Sequence, residues 1–255
     1  MGTEVRSAAA IGPQEQLRYA REVVRLEGQA LLELAGRLDE RLAEAAGLLF
    51  ACRGSVIVSG MGKAGLIGQK LAATLASTGT RSHFLHPAEA VHGDLGRVHS
   101  SDVVLALSKS GQTEELLRLL PALAGLNVPI LAITSDLKST LARAARVVIE
   151  LGPLKEACSL GLAPSTSTTA MLALGDALAL VVSRMRGFRH EDFYVFHPAG
   201  NLGKQLSHVE EHMRPLSRAA RPIAASGAWC ARCSWPTAIL AAAAARSCSP
   251  PPTDA

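Results

Sequence analysis

Five short apolar runs, separated by helical patterns, constrain this chain more than any other feature. The runs are Ser55–Ser59, Ser82–Leu85, Val103–Leu107, Ile130–Thr134 and Val147–Leu151. Helical patterns fill Lys63–Ser77, Glu114–Leu126 and Ser139–Ala145 between them. A strand followed by a helix is carried back to its starting side, so the pattern predicts βα units and a parallel sheet covered on both faces. Val103-Val-Leu-Ala-Leu107 and Ile130-Leu-Ala-Ile133 are apolar throughout, as strands buried on both faces are. Ahead of the sheet, Val24, Leu31, Leu34, Leu38, Leu42, Ala45 and Leu49 recur at helical spacing. That segment, residues 14–52, is long enough for two helices, and Gly28 is the expected break. After Leu151, the stripe Met171, Leu174, Leu178, Val181, Met185 predicts a long helix opening at Pro164-Ser-Thr-Ser-Thr-Thr169.

Composition narrows the class. The chain has 255 residues, 48% apolar and 19% charged, which excludes bulk disorder and is enough for a core without disulfide or metal staples. Its most apolar stretch, Ala170–Ser183, is short and carries Asp176, so no membrane span is expected. Residues 1–13 hold no apolar run of the signal-peptide kind, and only Cys52 and Cys158 precede residue 214, which together point to a reducing cytoplasm. The net charge of +4 resides in residues 214–255, where Arg214, Arg218, Arg221, Arg232 and Arg246 face the single acid Asp254. Residues 1–213 are therefore neutral and make no electrostatic case for nucleic acid or an anionic membrane. The last segment holds both tryptophans, ends near Pro250-Pro-Pro252 and is poor in Leu, Ile, Val and Phe. It is not expected to pack a domain of its own. The expected organisation is an extension over 1–12, one domain over 13–213 and a low-complexity tail over 214–255.

Three turns could hold an anion. Gly60-Met-Gly62-Lys-Ala-Gly65 follows a strand and opens a helix, where glycines let backbone N–H groups approach a ligand. The letters match the dinucleotide fingerprint, yet the next strand runs into Phe84-Leu85-His86-Pro87 and the first acid is Glu89, so the ribose contact is missing. A Walker A loop fails too, with Ile57 and Ala64 at the required Gly and Ser/Thr positions. A structural turn, or a site for another anion, remains. Ser108-Lys-Ser110-Gly111-Gln-Thr113 is a second cradle of hydroxyls, glycine and helix start, with plain N-capping as its structural alternative. The hydroxyl-rich helix start Ser165-Thr166-Ser167-Thr168-Thr169 is the third. Loops at the carboxyl ends of a doubly wound sheet converge on one crevice, so the three turns together suit a phosphorylated ligand.

The acid–base candidates are Lys63, Glu115, Glu156, His92 and His197. For each the structural alternative is a solvated or dipole-compensating side chain. His197 precedes Pro198 and is held extended. His86, Glu89, His92 and Asp94 carry metal-ligand chemistry, but their spacing is not that of a metalloprotease helix, and a loop lining the crevice is the preferred reading. Cys230-Ala-Arg-Cys233 with Cys248 lacks a convincing fourth zinc ligand.

Taken together, Ser59-Gly-Met-Gly-Lys-Ala-Gly65, Ser108-Lys-Ser-Gly-Gln-Thr113 and Lys155-Glu-Ala-Cys-Ser-Leu-Gly-Leu-Ala-Pro164 resemble the sugar isomerase (SIS) domain, and within it the D-arabinose 5-phosphate isomerases. Ala72–Thr80, His86-Pro-Ala-Glu-Ala90 with His92-Gly-Asp94, and Gly187-Phe188 with Glu191-Asp-Phe193 agree, so the resemblance covers residues 12–213. It implies a three-layer αβα sandwich around a five-stranded parallel sheet, a homotetramer, and no cofactor. It also implies cytoplasmic interconversion of D-ribulose 5-phosphate and D-arabinose 5-phosphate on the way to Kdo and lipopolysaccharide. The catalytic residues it implies are Lys63, Glu115, Glu156 and His197, with Glu156 the first choice for the C1/C2 proton shuttle and Glu115 the alternative. Substrate and phosphate binding falls to Ser59, Gly60, Gly62, His92, Ser108, Ser110, Thr113, Ser165, Thr166, Ser167 and Thr168; His86 and His92 are the only weak metal candidates. Two letters depart from the family pattern: Lys109 stands for a common Asn and Gln112 for a common Glu. Where the family often continues into a tandem CBS pair after His212-Met213-Arg214, this chain has its Ala/Arg/Pro-rich tail, read as a frameshifted or truncated frame. The rival readings are a non-catalytic sugar-phosphate sensor, an isomerase or epimerase of other sugar phosphates, and a weakly active remnant.

Overall fold

A computed structural model describes residues 11–196. All of them lie in one compact unit. The chain opens with α1 (Pro13–Arg37) and α2 (Glu40–Phe50). The break between them falls at Leu38–Asp39, not at Gly28. Leu38 is extended (φ −61°, ψ 127°), and Asp39 caps α2 by accepting from Arg41 N–H at 3.0 Å. Gly28 stays inside α1, where one glycine costs only about 1 kcal/mol against alanine.

There follow β1 (Val56–Gly60), α3 (Gly62–Ser77), β2 (Ser82–Phe84), α4 (Pro87–Ala90), β3 (Val103–Leu107), α5 (Glu114–Leu117) and α6 (Leu120–Gly125). The helix expected over Glu114–Leu126 is thus divided. Pro121 lies in the first turn of α6; it has no N–H to return to the preceding turn, which ends α5. The rest is β4 (Ile130–Thr134), α7 (Thr140–Ala144), β5 (Val147–Glu150), α8 (Thr166–Met185) and α9 (His190–Phe196).

The strands form a five-stranded sheet in the order β2-β1-β3-β4-β5, and every pairing is parallel. Alternate residues of each strand enter opposite cores, the period-two consequence of the pleat. Val56, Val58, Leu105, Leu107, Leu131 and Ile133 pack with Leu34, Leu49, Leu71, Leu75, Leu174 and Leu178 from α1, α2, α3 and α8. Ile57, Val104, Ala106, Ile130 and Ala132 pack with Leu85, Leu116, Leu119, Leu123 and Leu141 on the other face. The expected three-layer αβα sandwich is what the chain forms.

Among the described residues, α8 is the one helix long and apolar enough to cross a membrane by length and composition. Its apolar positions Ala170, Met171, Leu174, Leu178, Ala179 and Val182 belong to the buried core. It crosses α3 closely at Gly175, where a Cβ would lie 2.2 Å from Leu71 Cδ1, and Leu71 is fully buried with no room to retreat. At the same crossing Lys70 of α3 pairs with Asp176 of α8. Gly175→Val should overpack this contact and destabilise the domain by about 1–3 kcal/mol. Urea unfolding followed by circular dichroism measures it; an unchanged midpoint would show that the helices are free to part.

Candidate active site

The strand order reverses between β1 and β3, and at such a reversal the turns leaving adjacent strands part, opening a crevice beyond the carboxyl ends. A cavity of about 720 Å³ lies there. Met61, Lys63 and Ala64 line it from the β1–α3 turn, and Ser108, Lys109, Ser110, Gln112 and Thr113 from the β3–α5 turn. Ser135 and Asp136 after β4, and Pro164, Ser167, Thr168 and Met171 around the start of α8, complete the wall.

The β3–α5 turn is held rigidly. Ser108 Oγ lies 2.8 Å from Thr113 Oγ1 and accepts from Gly111 N–H at 3.0 Å. Gly111 has φ +61°, and a Cβ on it would fall 2.1 Å from Ser139 Oγ, so only glycine fits. The Lys109 carbonyl accepts from Ser135 N–H at 2.9 Å and from Thr134 Oγ1 at 3.1 Å, which ties the turn to the end of β4. Three hydroxyls on one braced turn suit the oxygens of a phosphate.

Glu156 is the buried charge of the site, its side chain only 4% exposed. Lys109 Nζ donates to its Oε1 at 2.6 Å, while Ser165 N–H and Ser167 N–H donate to its Oε2 at 2.9 and 3.2 Å. Burial by itself pushes the carboxyl up, but the hydrogen bond from Lys109 and those from Ser167 and Ser165 outweigh it and hold the pKa at about 2. The carboxylate also supplies the anion that the positive end of α8 favours. Glu156 is not itself a wall residue, whereas Lys109 and Ser167, which hold it, are.

Of the residues anticipated for the site, Lys63, Ser108, Ser110, Thr113, Ser167 and Thr168 come together on the cavity wall. Others do not. Ser59 is fully buried and donates its hydroxyl to the Leu85 carbonyl at 2.8 Å, so here it braces the sheet and is not on the cavity wall. Gly60 is buried as well and lets the turn fold tightly: a Cβ on Gly65 would stand 2.6 Å from the Gly60 carbonyl oxygen. Gly62, at φ +59°, starts α3 beside the lining residues Met61 and Lys63. Ser165 Oγ accepts from Ala157 N–H at 3.2 Å, and Thr166 is buried; neither hydroxyl reaches the cavity. Glu115, in the first turn of α5, and His92, exposed after α4, are also off the wall. His86 packs edge-on against Phe84. Among the described residues no three His, Cys, Asp or Glu side chains gather as metal ligands. His197, and the tail with its cysteines, lie outside the described residues. The dinucleotide reading fails on the fold, since the strand order is not that of the nicotinamide-binding sheet.

Sequence reasoning missed Ser135 and Asp136, although both follow the end of β4 as Ser108 and Lys109 follow β3. Ser135 Oγ is buried without a hydrogen-bond partner among the described residues, which leaves it a donor for a ligand in the cavity. The Lys109–Glu156 pair was equally hidden: the two residues are far apart in the chain, and no spacing rule connects them.

A parallel αβα sheet with hydroxyl-rich turns around a crevice at its strand-order reversal defines a doubly wound α/β protein with a polar ligand cleft at the switch point. Residues 49–181 match the SIS domain family, and the chain belongs to it. Arabinose 5-phosphate isomerase KdsD of Escherichia coli K12 is 50% identical over 186 residues, which is 73% of this chain and 57% of that protein. Arabinose 5-phosphate isomerase GutQ of Salmonella typhimurium is 48% identical over 197 residues, 77% of this chain and 61% of that protein. The chain thus spans less than two thirds of these curated relatives. A solved structure of an E. coli CFT073 protein in complex with arabinose 5-phosphate is 39% identical, with a TM-score of 0.72, covering 74% of this chain and 100% of that one.

The depressed carboxyl of Glu156 contributes stability above about pH 4.5, its ordinary value, and loses it as pH falls through about 2. Wild-type stability should therefore fall between pH 6 and pH 3 by on the order of 2 kcal/mol more than that of Glu156→Gln. Urea titrations at the two pH values test this, and parallel losses in both proteins would contradict the buried anion.

Proposed function

We propose that this chain is an aldose–ketose isomerase that interconverts D-arabinose 5-phosphate and D-ribulose 5-phosphate. The observation that carries the reading is one cavity bringing Lys63, the Ser108–Thr113 turn and the Ser167–Thr168 helix start together, in a chain half-identical to arabinose 5-phosphate isomerases.

The phosphate is bound by the hydroxyls of Ser108, Ser110, Thr113, Ser167 and Thr168. This orientation delivers the sugar's C1 and C2 toward Lys63 and Glu156. The reaction removes the proton at C2 of the open-chain aldose and sends the electron pair toward the carbonyl oxygen at C1 as an enediolate forms. The proton is then returned at C1, while the O2 hydroxyl proton passes to O1, so that C2 becomes the carbonyl. Lys63 stabilises the developing oxyanion. Glu156 carries the proton, with Glu115 as the alternative shuttle. D-Ribulose 5-phosphate cannot close to a furanose or pyranose, so ring opening is needed for the arabinose phosphate alone, and His197 is assigned to it. No cofactor enters this scheme. A homotetramer in the cytoplasm, serving lipopolysaccharide synthesis through Kdo, completes the reading.

Purified protein given D-arabinose 5-phosphate should produce D-ribulose 5-phosphate, followed by a discontinuous ketose assay. Lys63→Met should lower kcat by about 100-fold or more with a smaller change in KM. A folded protein that binds the sugar phosphate without turning it over would be a sensor and would overturn the reading.

A further inference from the structure

The isomerase reading meets one electrostatic obstacle. A general base works best with a pKa near the operating pH. Glu156 is held far below that by Lys109, and its Oε1 is covered by the lysine ammonium at 2.6 Å. As paired, it is a poor acceptor for a carbon-bound proton.

The position of Lys109 offers a way out. Its side chain is 40% exposed, against 4% for Glu156, and it lines the same cavity as the phosphate-binding turn. It sits between Ser108 and Ser110, two of the hydroxyls that would hold the phosphate. A four-carbon stem with free rotors lets its ammonium pivot over several ångströms while its backbone stays fixed. The backbone is indeed fixed, since the Lys109 carbonyl accepts from Ser135 N–H and Thr134 Oγ1.

We propose that Lys109 is a phosphate-operated latch: the phosphate of the bound sugar draws its ammonium away from Glu156 and frees that carboxylate to take the proton from C2. This rests on the isomerase reading and deepens it. A phosphate dianion attracts an ammonium about twice as strongly as a carboxylate at equal distance. With Lys109 withdrawn, Oε2 keeps the N–H groups of Ser165 and Ser167, so the carboxylate stays in place while Oε1 is bared. The remaining charged side chains of the wall are Lys63, on the β1–α3 turn, and Asp136, after β4. Burial without a paired cation then raises the proton affinity of Glu156. The carbon-bound proton leaves C2 for Oε1 and returns from it to C1 while the O2 hydroxyl proton passes to O1, so the step balances with no oxidant or reductant involved. The latch makes the phosphate a switch as well as a handle, so a sugar without one meets a masked base.

The test uses D-arabinose, which lacks the phosphate, with phosphite dianion as the separate switch. Wild-type protein should isomerise D-arabinose slowly and be accelerated by phosphite by about tenfold or more. Lys109→Met should isomerise D-arabinose about tenfold faster than wild type without phosphite, and respond to phosphite by less than about twofold. Its KM for D-arabinose 5-phosphate should rise. Lys109→Arg keeps the charge and should retain the phosphite response. A Lys109→Met rate on D-arabinose equal to or below the wild-type rate overturns the latch, because a mere phosphate ligand leaves that rate unchanged and a mere structural strut lowers it. Lys109→Gln carries the same comparison should the methionine variant not fold, as judged by circular dichroism. Wild-type turnover of D-arabinose 5-phosphate separates the two claims: without it the isomerase reading itself fails, and with it the D-arabinose rates judge the latch alone.

Discussion

The handedness of parallel crossovers governs where anything can bind to this molecule. A strand–helix–strand unit in one sheet turns right-handed, so the direction in which the sheet grows decides which face each helix covers. From β1 the chain grows one way to β2 and then returns past β1 to β3, β4 and β5. The α3 helix therefore packs with α1, α2 and α8 on one face, while the residues of α5, α6 and α7 pack on the other. The turns leaving β1 and β3 must separate toward opposite layers, and the space between them is the cavity. Every lining residue follows from that divergence, because only side chains at the carboxyl ends of the strands, or at the start of α8 beside them, can reach it.

Behind the cavity wall the governing interaction is the burial of Glu156. A carboxylate removed from water is tolerated only when its oxygens are occupied by donors. Here one oxygen takes the Lys109 ammonium and the other takes two backbone N–H groups at the first turn of α8. The arrangement satisfies the helix start and the acid together, and it joins the loop after β5 to the turn after β3. The two lips of the crevice are thereby coupled through one side chain. A ligand that competes for Lys109 would therefore act on both lips at once.

The glycines of the first turn illustrate how one motif serves several demands. Gly60 and Gly65 allow strand and helix to approach to a distance that no side chain would permit, which is the packing role of glycine in such turns. The residues between them, Met61, Lys63 and Ala64, are the ones that face the cavity. The fingerprint-like spelling thus reflects close packing, with ligand contact left to its intervening residues.

The linear order of residues was enough to establish the five strands, their parallel direction, the two-sided core and the hydroxyl- and glycine-rich turns at the strand ends, because period-two burial and helix-start chemistry are local. It also marked Lys63, Ser108, Ser110, Thr113, Ser167 and Thr168 as residues that could share a site. It could not separate Ser59 from Ser108, two serines at the carboxyl ends of neighbouring strands. Ser59 falls where its hydroxyl meets the Leu85 carbonyl, whereas Ser108 stands at the turn beyond β3. Nor could it separate Ser165 and Thr166 from Ser167 and Thr168, since which side of a helix start meets the cavity depends on how α8 is rotated against the sheet. The pairing of Lys109 with Glu156 belongs to the tertiary structure alone. It requires the loop after β5 to bring Glu156 to the turn after β3, past the intervening β4, and a buried charge chooses its partner by proximity in space, which no local spacing encodes.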